Sequence, residues 1–327
     1  MRTGRRSAVV AAALVLSAAA PLVAQQLHGQ VRIESFLSAA LGVPKHYVVY
    51  LPPSYARQTH RRYPVAYYLH GLTGNEGDWV TLGGIDRVAD SLIGAGMPEM
   101  ILVMPDGDDG WYTNWETPRG FAACMTDTLV SGSATYCVEH ERYDDYIAHD
   151  LIAHVDSAYR TLATRAHRGI AGLSMGGYGA IVLALRHPDL FAAAASHSGV
   201  LSPLYSGPRP FAAPATYLNS ADAIHAAWHG LWHAISPAFG TDTTGWYARD
   251  PARLARKLQA GGGPMPAISF DVGAEDGLAD QNRAFHWELG QMGIAHTYAE
   301  WPGKHDWKYW PAHVGESLRF LAAHIAR

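Results

Sequence analysis

Short apolar runs alternate along the chain with longer stretches in which apolar residues recur every three or four positions. The short runs predict buried strands at 47–51, 65–69, 100–104, 169–172, 191–196, 268–272 and 297–301. The longer stretches predict helices at 143–159, 175–187, 281–292 and 312–326. Strands and helices that alternate in this way build a mostly parallel sheet with helices on both faces, an α/β architecture. One segment breaks the rhythm, between Ser198 and Ile268, where Pro203, Pro208, Pro210, Pro214, Pro237 and Gly261 to Gly263 interrupt any long element. A compact domain rarely holds so long a structureless connection. Residues 201–265 therefore read as a cap-like insertion with short helices near 221–235 and 252–258. It would lie over the carboxyl ends of the strands, where open α/β sheets bind ligands.

Composition narrows the class. With 327 residues, 48% hydrophobic and 17% charged, the chain can bury the core of one catalytic domain, here placed at residues 25–327. The formal charge of -4 and the lack of a basic stripe leave nothing to grip a phosphate backbone, so no nucleic-acid partner is expected.

The N-terminus reads as an export signal. Arg2, Arg5 and Arg6 precede an apolar run from Ala8 to about Ala20, and the small residue Ala24 offers a cleavage point, so that residues 1–24 are removed and Gln25 begins the mature chain. A retained anchor is the competing reading, because Leu22 is larger than such sites prefer. The expected address is secreted or periplasmic, with no stable membrane insertion after cleavage. The two cysteines, Cys124 and Cys137, would pair in an oxidising compartment; two free thiols are the alternative.

The strongest chemical signal is Gly172-Leu-Ser-Met-Gly176, which follows a predicted strand and opens a predicted helix. This is the G-x-S-x-G turn, whose tight corner exposes a nucleophilic oxygen and needs glycine where bulk would collide. Ser174 is the candidate nucleophile. The N–H of Met175, at the helix start, faces incoming negative charge and is a candidate oxyanion donor. A serine hydroxyl needs a base, and in this fold the order is Ser, acid, His. Among 18 histidines, His305 stands on the loop after the last predicted strand, whereas His187 and His197 read as structural or pocket residues. The acid belongs on the loop after the preceding strand, where Asp276 is the choice and Glu275 the alternative. The second oxyanion donor belongs after an early strand, which points to the N–H of Leu72. His70 and Gly71 in the same loop are substrate-binding candidates, together with Trp111, Tyr112 and Trp307 as an aromatic wall. Core packing is the alternative for the three aromatic residues.

Five motifs occur in sequence: His70-Gly-Leu-Thr-Gly74, Pro105-Asp-Gly107, Gly172-Leu-Ser-Met-Gly-Gly177, Gly273-Ala-Glu-Asp276 and Gly303-Lys-His-Asp-Trp307. Together they resemble the esterase D family of α/β-hydrolases, which groups S-formylglutathione hydrolases, feruloyl and acetylxylan esterases, and mycolyltransferases. The resemblance runs from about Ile33 to the C-terminus. It implies the α/β-hydrolase fold, a triad of Ser174, Asp276 and His305, and an oxyanion hole at Leu72 and Met175. The export signal and the cysteine segment depart from the cytosolic formylglutathione branch. The expected activity is therefore hydrolysis of a carboxylic ester, such as an acylated sugar or a phenolic ester, free or polysaccharide-linked. Acyl transfer to a sugar or lipid alcohol, a thioesterase and a non-catalytic binding protein are the competing readings.

No cofactor or metal is called for. His225, His229 and His233 share a helix face and Asp106, Asp108 and Asp109 resemble the start of a calcium loop. The first set lacks a carboxylate and the second lacks the closing glutamate.

Overall fold

A computed structural model describes residues 28–127 and 137–326. The export signal read from the sequence lies outside them. Eight strands form one sheet: β1 Gln30–Leu37, β2 Pro44–Leu51, β3 Val65–Leu69, β4 Ile101–Pro105, β5 Arg168–Leu173, β6 Ala193–His197, β7 Ala267–Gly273 and β8 His296–Trp301. Their order is β1-β2-β4-β3-β5-β6-β7-β8. The first two pairings are antiparallel and every pairing from β4 to β8 is parallel.

The central strands are apolar on both faces because helices cover both. Val65, Tyr67 and Leu69 of β3 enter one core cluster, while Ala66 and Tyr68 enter the other. This is the two-residue period of a strand buried on both sides. The helix Met175–Arg186 is buried along nearly its whole length, so it shows little amphipathic contrast. The helices Pro251–Ala260 and Ala279–Gln291 lie on the same side of the sheet. Ile85–Gly94 and Tyr309–Ile325 cover the other.

The segment between β6 and β7 carries helices Ala221–Trp228, Trp232–Phe239, Thr243–Ala248 and Pro251–Ala260. The expected helix at 221–235 is broken around Gly230. Phe239 and Trp246 pack at 4.9 Å between ring centres, and Phe239 reaches Tyr178 of Met175–Arg186 at 5.3 Å. Much of this insertion thus shares the main core. Cys124 and Cys137 form a disulfide. Among the described residues no helix is long and apolar enough to cross a membrane.

Candidate active site

The parallel strands end on one edge, and the short loops that leave them meet there. At the end of β5 the chain turns into Met175–Arg186 through Ser174, whose φ of 53° and ψ of -117° are unfavourable for a residue with a side chain. The surroundings hold it so. Ser174 N–H donates to the His197 carbonyl at 2.9 Å, and Tyr178 N–H donates to the Ser174 carbonyl at 3.0 Å. Glycine is required around the corner. A Cβ at Gly176 would collide with the carbonyl oxygens of Leu69 and His70, and one at Gly172 with the Gly176 carbonyl. At Gly177 it would stand 2.5 Å from Ser196 Oγ and 3.0 Å from Gly199 Cα.

Ser174 Oγ lies 2.9 Å from His305 Nε2, and His305 Nδ1 lies 2.9 Å from Asp276 Oδ2. The His305 ring is about a third exposed and rests edge-on against Trp310 at 5.1 Å, whereas the Asp276 side chain is fully buried. Burial by itself would raise the Asp276 pKa. The hydrogen bond and charge of His305 and the N–H of Leu278 outweigh it and hold the carboxyl below its usual range. Glu275 turns elsewhere and accepts Gly303 N–H at 2.9 Å.

Met175 is the first residue of its helix, so its N–H has no acceptor within it. Gly74 N–H closes a turn onto the Gly71 carbonyl at 3.1 Å, with Leu72 at the corner and Thr73 at φ 65°. A Cβ at Gly71 would stand 3.4 Å from Ser174 Cβ, which sets the Leu72 loop directly beside the serine.

The other candidates divide. His70 is 1% exposed, so its ring is out of a substrate's reach. Trp111 and Tyr112 correct the expected aromatic wall, since they are 2% and 0% exposed and belong to the core. Trp111 Nε1–H donates to the Ala234 carbonyl at 3.1 Å, and Tyr112 O–H to the His70 carbonyl at 3.1 Å. Both have positive φ, 56° and 51°. Trp307 is half-buried, edge-on to Trp79 at 5.9 Å and to Trp310 at 5.0 Å, two residues past His305.

His187 pairs with Asp144 at the far end of the helix that Ser174 opens. His197 is buried, its Nε2 2.8 Å from Ser317 Oγ and its Nδ1 2.7 Å from Asp271 Oδ2. His225, His229 and His233 go to three different partners: the Trp232 ring, the Ala226 carbonyl and Asp127. Asp106 and Asp108 both turn to the Lys45 ammonium, and Asp109 accepts Thr73 N–H at 2.5 Å. Lys45 escaped the sequence reading. The predicted strand begins only at Tyr47, and the partners of Lys45 lie 61 and 63 residues away along the chain.

The sequence family described as "Putative esterase" matches residues 38–321. Esterase Rv1288 of Mycobacterium tuberculosis is 29% identical over 286 residues, covering 83% of this chain and 54% of the relative. The chain thus spans about half the length of the curated relatives it matches. Among solved structures, a ferulic acid esterase aligns with a TM-score of 0.68 at 24% identity, covering 91% of this chain and 99% of that one. An S-formylglutathione hydrolase from Staphylococcus aureus aligns with a TM-score of 0.63 at 22% identity, covering 90% and 99%. These likenesses show a shared fold, the α/β-hydrolase fold. On the match to residues 38–321, the chain belongs to the Esterase family.

Proposed function

We propose that this protein is an exported serine hydrolase that cleaves carboxylic esters through an acyl-enzyme on Ser174. The observation that carries the reading is the unbroken chain from Ser174 Oγ to His305 to buried Asp276, each step 2.9 Å, at a strained strand-to-helix corner. His305 Nε2 takes the hydroxyl proton as Oγ attacks the carbonyl carbon, while Asp276 holds the ring through Nδ1–H and stabilises the imidazolium. The carbonyl oxygen gains the negative charge and turns toward the N–H groups of Met175 and Leu72. As the tetrahedral intermediate collapses, the C–O bond breaks and the alcohol leaves with the proton from Nε2. Water, deprotonated by the same nitrogen, then releases the acid and restores Ser174.

The basic and apolar N-terminal pattern and the Cys124–Cys137 disulfide support an oxidising, extracytoplasmic address. There an acylated sugar or a phenolic ester is available, and a cytosolic glutathione thioester is not. Trp307, beside the base and half-buried, is the remaining aromatic candidate for a substrate contact. The experiment is a panel of acetyl-sugar, feruloyl and alkyl esters against the protein and Ser174→Ala, with fluorophosphonate labelling of both. Turnover and labelling that depend on Ser174 are expected. Turnover that survives Ser174→Ala refutes the mechanism, and a panel cleaved only as thioesters refutes the substrate class.

A further inference from the structure

Lys45 is the second residue of β2, and its side chain is 1% exposed. Its ammonium donates to Asp106 Oδ2 at 2.8 Å and to Asp108 Oδ1 at 2.7 Å. Asp108 Oδ2 also accepts the Tyr143 hydroxyl at 2.8 Å, and Asp106 Oδ1 accepts the N–H of Asp108 at 3.0 Å. The turn whose sequence resembles the start of a calcium loop is thus wrapped around a cation that the chain itself supplies. Burial would lower the lysine pKa, but the two carboxylates outweigh it and keep the ammonium charged.

Between the two aspartates, Gly107 N–H donates to His70 Nε2 at 2.9 Å. Asp106 Oδ1 lies 3.6 Å from the same nitrogen and, against the effect of burial, raises the ring's pKa, but a ring nitrogen that accepts the Gly107 N–H carries no proton, so the imidazole proton sits on Nδ1. That nitrogen lies 2.8 Å from the Gly71 carbonyl oxygen and donates to it. The Gly71 carbonyl and the Leu72 N–H belong to one peptide group. In a planar trans peptide the two point in opposite directions, so holding the carbonyl aims the N–H. The hydrogen bond at the oxygen also polarises the N–H.

We infer that Lys45 is a positioning residue for the oxyanion donor at Leu72, acting through the Asp106–Asp108 turn and the neutral ring of His70. The inference rests on the proposed acyl-enzyme mechanism only in giving Leu72 that role. Lys45 touches neither substrate nor the reacting atoms. It fixes a turn, the turn fixes a tautomer, and the tautomer fixes a peptide plane.

The test compares wild type with Lys45→Met/Asp108→Asn, which removes the cation together with one carboxylate, with Lys45→Arg, and with His70→Leu, which cuts the same chain without stranding a charge. Steady-state kinetics on p-nitrophenyl acetate are read beside the Leu72 amide resonance in leucine-labelled protein. In the folded double variant and in His70→Leu, kcat is expected to fall on the order of ten- to a hundredfold, part of the loss for deleting an oxyanion donor. KM should stay within about twofold, and the Leu72 resonance should move. Lys45→Arg should recover most of the activity. Unchanged kcat with an unmoved Leu72 resonance in either folded variant overturns the inference, as does a loss confined to KM. Fluorophosphonate labelling of wild type separates the two readings. Unlabelled wild type refutes the serine mechanism, whereas labelled wild type with unaffected variants refutes only the role of Lys45.

Discussion

The Glu275 carboxylate accepts the backbone N–H of Gly303 at 2.9 Å, two residues before His305, so this acid shapes the loop that carries the histidine while its neighbour Asp276 meets the ring. The division predicts unequal mutants. Asp276→Asn keeps the shape but loses the charge that orients and stabilises the imidazolium, and kcat should fall roughly 10³- to 10⁴-fold. Glu275→Gln keeps an acceptor for Gly303 and should lose less than about tenfold. Ester hydrolysis by the two purified variants decides the matter. The assignment fails if Glu275→Gln is the more damaged enzyme.

The corner at Ser174 predicts a second pair. At Gly176 an added methyl meets the carbonyl oxygens of Leu69 and His70, which belong to the end of β3 and the loop that follows it and cannot step aside independently. Gly176→Ala should cost about 1–3 kcal/mol of stability and most of the activity. At Gly230 a Cβ meets nothing within 4 Å, so Gly230→Ala should stay within about 0.5 kcal/mol of wild type. Urea unfolding of both variants tests this; equal stability would mean that the tight contact at Gly176 relaxes freely.

Both successes and failures of the sequence reading have physical causes. The seven expected strands all form; in six of them the apolar run is the direct trace of burial, whereas β8, at one edge of the sheet, is only partly buried. Strand β1 leaves no such trace: it is the other edge of the sheet, with Ile33 70% and Leu37 69% exposed. The candidate serine and histidine were legible because each stands on a loop directly after a strand, whereas Asp276 and Glu275 share one loop and only the geometry separates them, with Asp276 on the His305 ring and Glu275 on the Gly303 N–H. Trp111 and Tyr112 misled because an aromatic beside a motif reads the same whether it faces a cleft or a core. What holds them inside is packing between distant segments, Trp111 against Tyr178 and Phe239 and Tyr112 on the His70 carbonyl, which composition does not reveal. Lys45 and Asp106 are 61 residues apart and meet because β2 pairs with β4, a relation no local pattern contains.

The Cys124–Cys137 bond closes a loop with a sequence separation of 13 and ties the segment after Trp115 to the strand of chain leading back to Tyr143. In the chain-entropy view a loop of this size contributes about 3 kcal/mol by restricting the unfolded chain. Cys124→Ala/Cys137→Ala should therefore unfold at lower urea while its kcat changes little, because neither sulfur approaches Ser174 through any contact in the site. Reduction of wild type should reproduce the shift. A double variant as stable as the oxidised protein would show that the bond contributes nothing to folding.

Asp250 caps the helix Pro251–Ala260 by accepting Arg253 N–H at 2.9 Å, yet it is only 4% exposed. Burial raises its pKa from the ordinary 3.8 to about 6, against the opposing pull of the Arg253 N–H and charge. The folded protein therefore binds this proton more tightly than the unfolded chain. Stability from this group is fully present below pH 4, declines as pH rises from about 4 to 6, and stays low above that. Asparagine caps a helix as well as aspartate and cannot ionise. At pH 8 Asp250→Asn should be the more stable protein by on the order of 2–3 kcal/mol, since each pKa unit corresponds to about 1.4 kcal/mol. Toward pH 4 the advantage should vanish. Urea unfolding of both proteins at pH 8 and pH 4.5 reads the difference directly, and groups shared by the two cancel. A gap that is constant with pH, or one that widens toward acid, would mean that Asp250 is ionised in the fold at both values and that its cap outweighs its burial.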